Sequence, residues 1–250
     1  MYVIDTQGLP SAIVQAAMND PYDAGECDIS VTRLIQPPRL VRLVKLFGDQ
    51  LQVEAADLVR TMLGQAVHAL LERAEPVAAA AEQRLYCDCL GWRVGGKWDR
   101  LELDRPEGVV LQDYKCTSAW SLVGGSRSTE WAEQLNLLAH LYRANGLDNV
   151  LGPLVGLEIV AILTDWRPSE AKRIPGYPGS RIVVQPQVML EPSIAYAFME
   201  GRVAMHQAAE HELPRCTPED RWWNEKQRRF IRCEEYCPAR SVCSQRFDTN

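Results

Sequence analysis

The segment Asp104-Arg-Pro-Glu-Gly108 constrains this chain more than any other stretch. A short turn between two strand-like runs decides which residues of the two runs stand opposite each other. Leu85, Tyr86, Trp92, Val94 and Trp98 before it and Val109-Val-Leu111 after it have the residue types of strands rather than the period of helices. With the turn centred near Pro106, Asp99 faces Asp113. Directly opposed positions hold their Cβ atoms roughly 4.5–5.5 Å apart, where two like charges repel unless a cation lies between them. On the second strand Val109, Leu111, Asp113 and Lys115 share one face by the period of two. That strand therefore runs from apolar core to a carboxylate and an ammonium pointing the same way.

Elsewhere the apolar pattern alternates between the two periods. Helices are expected over residues 39–47, after Pro37-Pro38, over 54–73, where Leu58, Met62, Ala66 and Leu70 recur every fourth position, over 129–145 and over 193–212. Strands are expected over 154–163 and 181–190. The order implies a mixed α/β fold in three parts: an N-terminal helical segment at 1–50, a core at 51–212 and a cysteine-rich tail at 213–250. A hydrophobic share of 46% is enough for a core that needs no disulfide framework, so the eight cysteines require another explanation.

Four of the eight, Cys216, Cys233, Cys237 and Cys243, fall in the last 35 residues, a clustering that reads as a metal site. With no export signal at Met1–Pro10 and no apolar run of membrane length, the expected setting is cytoplasmic, where thiols stay free for ligation, and no membrane partner is expected. Cys87, Cys89 and Cys116 lie in or beside strands and read as core. The formal charge of −6 excludes a protein coated in positive charge, yet residues 221–246 carry seven Lys or Arg against three Glu. Arg228, Arg229, Arg232 and Arg240, among Trp222, Trp223, Phe230 and Tyr236, are candidates for tracking a DNA backbone.

Two carboxylates and a lysine two residues on suit metal-assisted phosphodiester hydrolysis. Oxygen ligands hold a hard Mg²⁺ or Mn²⁺, the metal activates water, and lysine offsets charge on the phosphorane. With these residues assembled, the sequence resembles the PD-(D/E)XK nuclease superfamily in its RecB-like branch, which includes CRISPR-associated adaptation exonucleases and phage recombination exonucleases. Gly64-Gln-Ala-Val-His68-Ala-Leu-Leu-Glu72 is similar to the branch's histidine helix, Gly96-Lys-Trp-Asp99 to its Gly-x-x-Asp strand, Leu111-Gln-Asp113-Tyr-Lys115 to its Asp-x-Lys strand, and Gln134 in Glu133-Gln-Leu-Asn-Leu-Leu-Ala139 to its glutamine helix. Leu138 stands where the branch often has tyrosine.

The resemblance implies a restriction-endonuclease-like core, a mixed sheet flanked by helices, in a metal-dependent DNA nuclease of exonuclease type. It also implies a recombination or repair protein as partner. His68, Asp99, Asp113 and the Tyr114 carbonyl would hold Mg²⁺ or Mn²⁺, Lys115 would be the catalytic lysine, and Gln134 would contact the active site. Gly64 would leave room beside the His68 ring and Glu72 would orient it, while Glu82 reads as solvated. Cys233, Cys237 and Cys243 resemble the C-terminal triplet of iron-sulfur members, whose fourth cysteine comes from the N-terminal region. In this chain that segment, Ser30 to Arg39, has Pro37 at the expected position, so Cys216 completes the set, with Cys27 as a substitute. Four thiolates suit a [4Fe-4S] cluster or Zn²⁺. The rival reading is a nucleic-acid- or partner-binding module on the same fold that does not turn over, with zinc in the cysteine site.

Overall fold

Apolar residues on both sides of the Asp104–Gly108 turn produce a hairpin in the structure, a computed structural model that describes residues 1–19, 25–74, 84–123 and 128–248. Glu82 and the alanine run at 78–81 lie outside the described residues. Strands β1 (Ile29–Ser30), β2 (Leu85–Cys89) and β3 (Trp92–Gly96) form one sheet in the order β1-β3-β2. A second sheet has the order β4-β5-β6-β7, with β4 at Arg100–Glu102, β5 at Val109–Thr117, β6 at Leu154–Leu163 and β7 at Ile182–Gln187. The hairpin register is Arg100↔Gln112, Leu101↔Leu111 and Glu102↔Val110, and one further step sets Asp99 opposite Asp113. β5 pairs antiparallel with β4 and parallel with β6. Flanked on both edges, it buries Val109, Val110 and Leu111, as a central strand must.

β6 matches its expected span, whereas β7 stops at Gln187, short of residue 190. Pro186 has no N–H to donate, and β7 lies at the edge of the sheet, where proline is tolerated near a strand end. The helices are α1 (Val59–Ala74), α2 (Ser128–Ala144) and α3 (Pro192–His211). Residues 55–58, expected as the first turn of α1, form a 3₁₀ turn instead. Leu135, Leu138, Leu141 and Tyr142 recur at helical spacing along α2 and are fully buried. The other face of β5 is closed by a polar network. Gln112 Nε2 donates to Glu158 Oε2 at 2.7 Å, Arg105 Nη2 lies 2.9 Å from Glu158 Oε1, and Arg100 Nη1 donates to Gln112 Oε1 at 2.8 Å. The buried Glu158 charge is thus paired and hydrogen-bonded.

The chain divides into two compact units that are interleaved rather than consecutive. One comprises Met1–Asp23, Gln36–Met62 and Gly201–Asn250, the other Ala24–Ile35 and Leu63–Glu200. The second holds both sheets described above. In the first, Tyr2–Ile4 pairs in parallel with Gln52–Glu54, and Leu40 and Leu43 of the Pro38–Phe47 helix pack with Ala239, Leu213, Val242, Cys237 and Cys243. The tail has a helical turn at Pro218–Arg221 with a Thr217–Asp220 capping box, a short hairpin pairing Trp223–Asn224 with Arg229–Phe230, and a π-helical turn at Arg232–Tyr236.

Two glycines should respond to alanine with opposite signs. A Cβ on Gly96 would come within 2.6 Å of Leu138 Cδ2 and 2.9 Å of Leu141 Cδ1, both fully buried, whereas a Cβ on Gly64 meets nothing within 4 Å. Gly96→Ala is expected to cost about 1–3 kcal/mol by overpacking. Gly64→Ala, in a helix interior, is expected to stabilise by roughly 0.5–1 kcal/mol. Chemical denaturation of both variants checks the pair, and loss of stability in neither would refute the close packing of α2 on β3.

Candidate functional site

Four segments of one unit place their polar side chains together. β5 supplies Asp113, Tyr114 and Lys115, and its period of two turns Asp113 and Lys115 to the face opposite Gln112. The hairpin supplies Asp99, held in position by its neighbour Trp98, which is fully buried with its ring 6.0 Å from that of Tyr142. α1 supplies His68 and α2 supplies Gln134.

Hydrogen bonds and ion pairs tie the six residues into two triads, His68–Asp99–Tyr114 and Asp113–Lys115–Gln134, which meet along the β5 backbone. Asp99 Oδ2 accepts from Tyr114 N at 2.7 Å, and Asp99 Oδ1 lies 3.2 Å from His68 Nδ1. His68 Nε2 lies 3.1 Å from Tyr114 O. A carboxylate and a carbonyl can only accept, so both ring nitrogens donate, as in an imidazolium. The hydrogen bond to Asp99 holds the His68 pKa above its ordinary value, against the opposing effect of burial. Lys115 Nζ lies 2.5 Å from Asp113 Oδ2 and donates to Gln134 Oε1 at 3.1 Å, and Gln134 Nε2 donates to Asp113 Oδ1 at 3.2 Å. Burial pushes the Asp113 carboxyl up, with Lys115 pulling it back down and Asp99 adding to the rise. The opposed carboxylates do repel, and each has a cation of its own, His68 for Asp99 and Lys115 for Asp113.

Two assignments around His68 need correction. Glu72 does not orient the ring: its Oε1 pairs with Lys97 Nζ at 3.1 Å, while Asp99 takes Nδ1. Gly64 does not clear space for the imidazole, since open space surrounds it. Gln134, an amide in an apolar stripe, finds its partners in Lys115 and Asp113. Leu138 packs on Gly96 instead of reaching the site. Among the described residues no group of three or more His, Cys, Asp or Glu side chains is placed so as to hold a metal ion. The His68 nitrogens are engaged with Asp99 and the Tyr114 carbonyl.

In the other unit Cys216, Cys233, Cys237 and Cys243 share one neighbourhood. Burial pushes the Cys216 thiol up to about 12, and Asp220 and then the other three cysteines add to the rise. Burial also raises Cys237. Gln245 brackets Cys216, accepting from its N–H and donating to its carbonyl, each at 2.8 Å. Sequence reasoning missed Arg39. This buried arginine donates from Nε to Cys243 Sγ at 3.3 Å, from Nη1 to Pro214 O and from Nη2 to Ser244 Oγ. No local pattern marks a contact across 204 positions. Cys27 belongs to the second unit, against Gly95 of β3. Cys89 is buried in β2, and Cys87 and Cys116 are partly buried in β2 and β5.

The tail arginines have local duties. Arg229 pairs with Glu234 at 2.9 Å and with Glu235, Arg240 donates to Glu234 O, and Arg232 lies over the Trp222 ring at 4.9 Å while donating to Asp220 O. Arg228 is exposed in the hairpin turn with φ of 49°. No helix among the described residues is long and apolar enough to cross a membrane.

No known family profile matches the chain, and no curated protein matches it. Among solved structures, the chain is similar to the crystal structure of SSO0001, with a TM-score of 0.53 and 14% identity over 95% of this chain and 94% of that one. At that identity the likeness shows the fold alone. The chain is a mixed α/β protein with several sheets flanked by helices.

Asp99→Asn in the metal-free protein should lower the His68 pKa, because the strongest influence raising it is lost while burial still pulls it down. The sign for stability follows. A folded-state pKa above the unfolded value stabilises fully below about 6.5, and the contribution is lost as pH rises through the folded pKa. The variant's stability should therefore fall off less over that window. NMR titration of the imidazole protons checks the shift, and an unchanged His68 curve would overturn Asp99 as its orienting partner.

Proposed function

We propose that the chain is a Mg²⁺- or Mn²⁺-dependent DNA nuclease with a RecB-like PD-(D/E)XK core, of exonuclease type, whose tail cysteines bind a structural [4Fe-4S] cluster. The observation that carries the reading is the pair of triads, His68–Asp99–Tyr114 and Asp113–Lys115–Gln134, brought together from four segments on consecutive residues of β5. A structural salt bridge accounts for Lys115 and Asp113 alone. It leaves unexplained why a second carboxylate, a histidine and a glutamine converge on the same strand end.

The donor set fits a hard cation: two carboxylates, one main-chain carbonyl and one imidazole nitrogen. Asp99, Asp113, His68 and the Tyr114 carbonyl would hold it, with His68 Nε2 exchanging its contact with Tyr114 O for the ion. Bound there, Mg²⁺ or Mn²⁺ supplies Lewis-acid polarisation and activation of water. The chain's own groups do the positioning. Gln134 bonds both Asp113 and Lys115, fixing the carboxylate and the ammonium relative to each other. Lys115 lies partly buried beside Asp113, where its ammonium would offset charge that builds on the phosphorane. Asp99 bonds both the His68 ring and the Tyr114 N–H, and so sets the position of these groups relative to each other.

In the tail, burial raises the cost of the Cys216 and Cys237 thiolates, and four cysteines gathered in one neighbourhood would need a cation to ligate as thiolates. Arg39 at 3.3 Å from Cys243 supplies a single charge and a hydrogen bond to sulfur, an outer contact suited to a thiolate-held cluster.

Cleavage of end-labelled single- and double-stranded DNA tests the first part. Mg²⁺ or Mn²⁺ should support cutting and Ca²⁺ binding only, while Lys115→Ala and Asp113→Asn should abolish cutting with circular dichroism unchanged. Full activity in either variant, or undiminished cutting in excess EDTA, would sink the assignment.

The tail reading has its own test. Anaerobically purified protein should be brown and contain about four irons per chain, and Cys233→Ala should lose the iron and melt at lower temperature. Colourless protein with one zinc would replace the cluster by zinc, and a metal-free protein of unchanged stability would reject both.

A further inference from the structure

β5 and β6 run parallel and end together, at Thr117 and Leu163. Three residues beyond each end stands a tryptophan, Trp120 and Trp166. The two loops are fastened to each other. Thr164 N donates to Thr117 O at 2.9 Å, Asp165 Oδ1 accepts from Ala119 N at 2.7 Å, and Asp165 Oδ2 accepts from Ser118 Oγ at 2.5 Å. The rings are held as firmly. Buried Tyr177 meets Trp120 edge-to-face with centroids 5.4 Å apart, and its hydroxyl accepts from Arg167 N at 3.3 Å. Trp166 Nε1 donates to Pro178 O at 2.8 Å, with the Arg181 guanidinium 5.7 Å over its ring.

On this rigid base the Trp120 side chain is 49% exposed. A single exposed aromatic is ordinary on a surface, but the charge of the segment that backs this one is not. Residues 164–181 carry Arg167, Lys172, Arg173 and Arg181 against Asp165 and Glu170, a local excess of +2 in a chain of −6. All four cations are exposed, and none forms an ion pair among the described residues. Along the backbone Trp120 is five residues past Lys115, at most about 17 Å at extended spacing. The platform therefore lies within a few nucleotides of the catalytic lysine.

We infer that Trp120, backed by Tyr177 of the 164–181 segment that also carries Trp166, Arg167, Lys172, Arg173 and Arg181, is a stacking platform for unpaired bases of the DNA strand entering the site. A half-exposed ring on a segment with exposed cations suits single-stranded nucleic acid, because every base offers a face to stack and every nucleotide a phosphate to neutralise. A duplex hides its base faces in its own stack, so it cannot use Trp120 except at an end. The inference rests on the proposed DNA substrate, and it adds which strand state the protein grips and where.

The experiment separates grip from chemistry. Full-length protein without added metal is titrated into a fluorescently labelled 12-nucleotide oligo(dT), and cutting of the same oligonucleotide is followed separately with Mn²⁺. Trp120→Ala should weaken binding roughly 5- to 150-fold, the equivalent of about 1–3 kcal/mol per stacked base. It should raise KM for cutting while leaving kcat within about twofold, and Trp120→Phe should restore most of the affinity. Lys172→Ala and Arg173→Ala should each reduce the salt dependence of binding by about 0.7 in log–log slope. Arg181→Ala should weaken binding without touching the Trp120 ring. Binding by Trp120→Ala equal to that of the unmodified protein overturns the platform, and so does an equal loss on a blunt duplex of the same length. Oligonucleotide binding that depends on Trp120 in a protein that cuts nothing would sink the nuclease reading and leave the platform standing.

Discussion

The carboxylate of Asp99 does the work of a missing strand. The β4–β5 ladder ends at Arg100↔Gln112, so the amide of Tyr114 on that edge has no ladder carbonyl to receive it. A backbone N–H left without a partner is costly. Asp99 Oδ2 takes it at 2.7 Å, and Oδ1 faces His68 Nδ1. One side chain thereby closes the hairpin, satisfies the strand next to Asp113 and aims a histidine from α1. Without it the three segments would still exist as secondary structure, but nothing would hold their polar ends in a common geometry.

β5 works because its two faces carry different chemistry on one buried ladder. Even-numbered Gln112 enters the closed network with Glu158, Arg105 and Arg100, while odd-numbered Asp113 and Lys115 face Gln134. A slip of one residue would exchange the faces, placing Asp113 against Glu158 and Gln112 against the site. The network on one face thus protects the register of the other. It also explains how a strand so deeply buried tolerates this many charges, since each carboxylate has a specific cationic or amide partner.

Local pattern reached much of this arrangement. The turn at Asp104–Gly108 was sufficient for the hairpin register, because a strand's period of two leaves no freedom once the turn is placed. Near-continuous apolar character located β6 to the residue, and the glutamine in α2 was conspicuous as an amide among leucines. What escaped was through-space. Glu72 is one helical turn from His68, which suggested a partnership, yet the closer carboxylate came from the hairpin. Arg39 meets Cys243 across the whole length of the chain, and Tyr2–Ile4 pairs with Gln52–Glu54, so the interleaving of the two units leaves no mark in any short window.

That interleaving has a consequence for the order of events on the ribosome. Ala24–Ile35 and Leu63–Glu200 complete one unit before Gly201 is added. The first unit, begun at Met1, lacks its last half until residues 201–250 have been made, roughly 3–10 s later at about 5–20 residues per second. During that interval Leu40 and Leu43 have no Ala239 or Val242 to cover them, and Arg39 has no Cys243. The nascent protein therefore carries a finished sheet domain and an uncovered apolar helix at the same time. The tail that carries the four cysteines is also the segment whose arrival ends that exposure.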